Sequence, residues 1–173
     1  MRMRRSSALR IWFAAVALAL YVAFVLVVTL TPSPVDLSFR DDLVSLLDKL
    51  HERGLPGLVD YRFVEFSSNI VLFIPIGFIA SLLLPRRGWW LVLLIGPLFS
   101  LAIEFAQQTF LPARYATASD VLANSLGTLI GAALAVILRL LVAWRDRYIV
   151  ERALADRESR LARIEQPGAG SVP

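Results

Sequence analysis

Four long apolar runs, each closed off by a short polar break, dominate this chain. Residues 11–31 follow a basic start. Residues 66–85 hold no charge, residues 88–111 hold only Glu104, and residues 121–138 hold none. A helix needs about 20 mostly apolar residues to cross the roughly 30 Å hydrocarbon core of a bilayer. The pattern therefore predicts an all-α membrane protein with four transmembrane helices, at about 11–31, 66–85, 88–111 and 120–142. The first run is longer than the ~7–15-residue apolar core of a cleavable signal peptide, so it is expected to stay as a span.

The polar breaks have patterns of their own. Within residues 32–62, Leu43, Leu46, Leu47 and Leu50 fall at i, i+3, i+4 and i+7, which is one apolar stripe at helical spacing. Asp41 and Asp42 suit the start of a helix, Lys49 and Arg53 its end, and Gly54 its stop. This is a short amphipathic helix in the first outer loop, and His51, the single histidine, sits incidentally near its end. The turn PRRGWW is too short for anything but an antiparallel pair of spans, with Trp89 and Trp90 at the membrane interface. Beyond the last span, Arg147–Glu151 and Arg152–Asp156 make i, i+4 charge pairs. Residues 143–173 are expected to be a charged cytoplasmic helix ending in a disordered PGAGSVP tail. Residues 1–10 make a basic cytoplasmic tail, and residues 11–142 form the membrane domain.

Composition supports a lipid-embedded chain. Of its 173 residues, 57% are hydrophobic, and the mean hydropathy is +0.65. There is no cysteine, which excludes disulfides, thiolate metal sites and a cysteine nucleophile. Thirteen Lys and Arg residues lie before span 1, in the 2–3 turn and at and beyond the end of span 4, against five in the remaining loops. Lys and Arg favour the cytoplasmic side. Both termini are thus expected in the cytoplasm of a multi-pass protein of the plasma membrane. No nucleic-acid motif, cofactor motif or metal-ligand set is present.

The chemistry lies in polar groups at bilayer depth. Glu104 shares a helical face with Ser100, Gln107 and Gln108. Asp120, Asn124, Gly127 and Gly131 fall at i, i+4, i+7 and i+11 on the last span, where GTLIG is a GxxxG pattern that admits a close neighbour. Glu65 and Asn69 begin the second span, which Pro75 and Gly77 then interrupt, so a kink is expected there. Arg114 lies between spans 3 and 4. A charge in the bilayer costs at least ~2.5–3.5 kcal/mol on insertion scales, so Glu104 should be protonated, paired or wet. Polar side chains can also simply join helices, at about 0.6 kcal/mol per hydrogen bond. Clustering at one level, absence from span 1, and the presence of two acids and an arginine favour an outward-facing cavity over such joints.

At these residues the chain resembles the VanZ family, small membrane proteins named for a teicoplanin-resistance accessory. The resemblance runs over about residues 67–135. It rests on NIVLFIPIG from Asn69, SLAIEFAQ from Ser100, Arg114 with Asp120 six residues on, and Asn124, Gly127 and Gly131. It implies Asn69, Glu104, Gln107, Arg114, Asp120 and Asn124 as binding residues, with Pro75, Gly77, Gly127 and Gly131 shaping or packing the helices. Where many relatives carry an acid three residues after the arginine, this chain has Thr117. The founding role implies reduced susceptibility to a lipid-anchored glycopeptide at the cell envelope. Three functions follow as expectations. The first is binding of a membrane lipid or lipopeptide. The second is an intramembrane enzyme using Glu104 and Asp120 on a lipid or cell-wall intermediate. The third, ranked last, is a proton-coupled transporter, with homo-oligomerisation able to make up for so few spans.

Overall fold

A computed structural model describes residues 2–31, 37–111 and 117–165. Five α-helices make up the described chain: α1 (Arg2–Leu30), α2 (Leu37–His51), α3 (Tyr61–Leu83), α4 (Val92–Phe110) and α5 (Ala118–Glu165). Four of them, all but α2, contain stretches long and apolar enough to cross a membrane. Among the described residues there is no strand. Arg114 and the PGAGSVP tail lie outside the described residues.

The helices run further than hydropathy alone indicates. α1 starts at Arg2, inside the basic segment, because nothing between Arg2 and Arg10 breaks a helix. α3 starts at Tyr61, since Asp60 takes extended backbone angles and its carboxylate accepts the Phe63 N–H at 2.8 Å. That bond satisfies one of the four orphan donors of a helix start. α2 opens at Leu37, so Asp41 and Asp42 lie in its second turn; no breaker separates Leu37 from them. It closes at Gly54, whose φ of +102° only glycine adopts freely. Leu55 N–H bonds to the Leu50 carbonyl and Gly54 N–H to that of His51, both at 3.0 Å, the paired bonds of a Schellman stop. Between α3 and α4, Gly88 N–H closes a tight turn on Pro85 O at 2.8 Å, and Trp89–Leu91 adds one 3₁₀ turn.

The chain divides into two compact units, Met1–Ala135 and Val136–Pro173. The first holds a core of Val25, Phe73, Ile76 and Ile103, with Tyr21, Leu72 and Phe99 packed against it. The Phe73 and Phe99 ring centroids lie 6.1 Å apart. α1 packs on both α3 and α4, and α2 packs on α3, where Leu47 is buried and the Arg40 guanidinium sits 4.9 Å over the Tyr61 ring.

α4 is built inside out by the standard of a water-soluble helix. Leu94, Ile95, Leu98, Leu101 and Phe105 are exposed, whereas Ser100, Glu104 and Gln107 are buried. Such an arrangement is unfavourable in water and expected in lipid, where polar groups turn toward the bundle.

α3 and α5 approach backbone to backbone. A Cβ on Gly127 would collide with the Ile70 carbonyl, one on Gly131 with the Ile74 carbonyl and Phe78 nitrogen, and one on Gly77 with the Thr128 backbone. The buried stripe of α5 reads Ala123, Asn124, Gly127, Thr128, Gly131, Ala132 and Ala135. Lipid supplies no hydrophobic drive for helix association, so small residues that bring backbones together supply dispersion contact instead. In the second unit, every residue from 144 to 161 is exposed.

Candidate functional site

The polar groups gather toward one end of the α3–α4–α5 bundle. Thr117 caps α5: its hydroxyl accepts the Asp120 N–H at 3.3 Å, and its carbonyl accepts the same N–H at 3.0 Å. A carboxylate at position 117 could cap in the same way, which gives the Thr117 departure a structural equivalence. Asp120 then stands in the first turn, where the helix dipole favours negative charge. Its Oδ1 accepts a hydrogen bond from Asn69 Nδ2 of α3 at 3.1 Å, and both side chains are half-buried.

One turn further along α5, Asn124 is only 5% exposed. Its Nδ2 donates to Ser100 Oγ of α4 at 2.8 Å, while its Oδ1 has no donor. The Ser100 hydroxyl can give or accept, so turning the amide round would leave the nitrogen unmatched instead. The next turn adds Thr128, whose hydroxyl donates back to the Asn124 carbonyl at 2.9 Å and whose methyl fills the space beside Gly96 of α4. Glu104, one turn from Ser100, is buried on the same α4 face.

Gln107 does not turn to α5. Its Nε2 donates to the Thr29 carbonyl of α1 at 2.8 Å, and Gln108 is exposed. Span 1 therefore takes part through its backbone, although the sequence places none of the clustered polar side chains on it. The reason is that a backbone carbonyl near a helix end is an acceptor in any sequence. A second link from α1 is Tyr21, whose hydroxyl donates to Leu72 O at 3.0 Å. Leu72 adjoins Val71, the carbonyl left without its usual donor by Pro75. Tyr21 could have been singled out in the sequence, because a tyrosine hydroxyl deep in an apolar run needs an acceptor.

This arrangement can donate hydrogen bonds to a polar group and accept them from one. Among the described residues no three His, Asp or Glu side chains converge as metal ligands. Clefts of about 320 and 410 Å³ are lined by Ala143, Asp146, Arg147, Val150 and Glu151, and by α2 residues from Asp41 to Lys49 together with Glu52. Neither is lined by any of the polar residues described above.

Neither curated proteins nor solved structures give a significant match. The VanZ/LLP1 family profile matches residues 18–139, a stretch that includes Tyr21, Thr29, Asn69, Glu104, Gln107, Asp120 and Asn124. A match over that much of a four-span helical chain is decisive: the protein belongs to the VanZ/LLP1 family of membrane proteins.

Proposed function

We propose that the protein binds the head group of an outer-leaflet amphiphile, a cell-envelope lipid or a lipopeptide, at the polar face shared by α4 and α5. The single observation that carries this reading is Asn124. A buried amide oxygen without a donor costs about 1–3 kcal/mol, and the Asn124 Oδ1, on an amide that already donates to the buried Ser100, is an acceptor open to an N–H or O–H.

The excess of Lys and Arg on the other side supports an outward orientation for this end of the bundle, in a plasma membrane. Arg114, the one basic residue between α4 and α5, would pair with a phosphate or carboxylate on the ligand. Asn69, Asp120, Gln107 and Glu104 would complete the head-group contacts. Binding the acyl-bearing part of a glycopeptide of the teicoplanin type here would link the protein to susceptibility at the cell envelope. The α2 helix would lie on the outer membrane surface beside the site.

Native mass spectrometry of the detergent-released protein tests the reading. Wild type should retain a lipid or lipopeptide adduct that Asn124→Leu loses while keeping its fold. Bare protein in both samples, with lipopeptide added, would overturn it.

A further inference from the structure

The second unit carries a pattern that membrane insertion does not use. Leu140, Arg147, Leu154 and Leu161 recur every seven residues, and Ala143, Val150 and Arg157 fall three after the first three of them. These are the a and d rows of a heptad repeat. Leu140, Val150, Leu154 and Leu161 are each at least half exposed, well into a stretch too charged for lipid to cover.

The cleft of about 320 Å³ falls on this seam, and its lining includes Ala143, Asp146, Arg147 and Val150. In heptad terms these are d, g, a and d, the four positions that surround an a-position knob from a parallel partner helix. The charges fit the same partner. In a parallel pair an a residue lies beside the g residue of the other strand, and a d residue beside its e residue. Arg147 thus meets Asp146 of a second copy, and Arg157 meets Glu158. The Arg145–Asp146 contact within one chain, 3.4 Å between two well-exposed side chains, is weak enough to exchange. Long arginine stems can cover the seam while their charged ends reach solvent.

We propose that residues 140–161 form a parallel two-stranded coiled coil with the same segment of a second copy of this chain. Insertion in one membrane holds all copies in the same orientation, so the parallel arrangement is the one available. An anionic lipid surface is the other occupant such a helix could take. From 143 to 161 there are five arginines against four acids, a nearly neutral balance that gives such a surface little hold.

The lack of native cysteine makes the test direct. Single variants Leu154→Cys, Leu161→Cys and Ser159→Cys of the full chain are oxidised in native membranes and run without reductant. Seam positions 154 and 161 should give severalfold more disulfide dimer than 159, which lies on the opposite face. Adding Glu158→Arg to Leu154→Cys should lower the yield, and adding Arg157→Glu as well should restore it. Equal yields at all three positions, or none at any, would overturn the proposal. So would absent cross-linking with a fluorophore at position 154 that shifts blue on anionic vesicles, which would give this face to lipid.

Discussion

Asn69 Nδ2 and Asp120 Oδ1 stand 3.1 Å apart and tie α3 to α5 across 51 positions of sequence. The bond fixes the entrance of α5 against the second span, and the glycine stripe below it lets the two backbones close. A hydrogen bond to a carboxylate contributes about 1.5–3 kcal/mol in general, whereas polar pairs inside membrane proteins average nearer 0.6. Because this pair is half-buried, a double-mutant cycle on Asn69→Ala and Asp120→Ala should return a coupling of about 1 kcal/mol, read from unfolding in mixed detergent. Additive effects would show that the pair is only incidental.

The α3–α5 contact should tolerate no side chain. Gly127→Leu and Gly131→Leu each drive carbon into α3 backbone, and overpacking of this sort costs ~1–3 kcal/mol or more. Gly57→Ala, with nothing within 4 Å, is the matched control. The two Leu variants should unfold at clearly lower denaturing detergent while Gly57→Ala stays near wild type.

Asp60 should matter although it is exposed. Removing its cap on Phe63 by Asp60→Ala should destabilise by about 0.5–2 kcal/mol, and Asp60→Ser should recover most of that. A thermal denaturation series measures both.

Asn124 separates stability from binding. Replacing both partners of the Asn124–Ser100 bond by apolar groups, as in Asn124→Leu with Ser100→Ala, removes an amide that is only half satisfied. Such paired replacements are often nearly neutral, so the thermal midpoint should hold or rise while any retained amphiphile is lost. A large fall in the midpoint would make Asn124 a structural joint.

The spans could be read from hydropathy because lipid demands long uncharged runs, and the turn between α3 and α4 because six residues leave no other geometry. The starts of α3 and α5 could not, since Asp60 and Thr117 act through local backbone bonds that hydropathy does not register, whereas Gly54 marks the stop of α2. Spacing places Ser100, Glu104, Gln107 and Gln108 near one face of α4; the first three are buried and Gln108 is exposed. Nothing in the sequence says which neighbour each would meet. Asn69 goes to Asp120 and Asn124 to Ser100, while Gln107 finds a backbone carbonyl on α1. Carbonyls carry no residue signature, so the share of α1 was hidden. The Gly127–Gly131 spacing marks a close approach, but that it is α3 that approaches required coordinates.

The central claim is that an outer-leaflet amphiphile sits on Asn124 and its neighbours. A binding isotherm for a fluorescent anionic lipopeptide on the protein in nanodiscs tests it most directly. Wild type should saturate, Arg114→Lys should weaken binding less than Arg114→Ala, and Asn124→Leu should bind no better than empty nanodiscs. Isotherms that coincide for wild type, Asn124→Leu and empty nanodiscs would contradict the account.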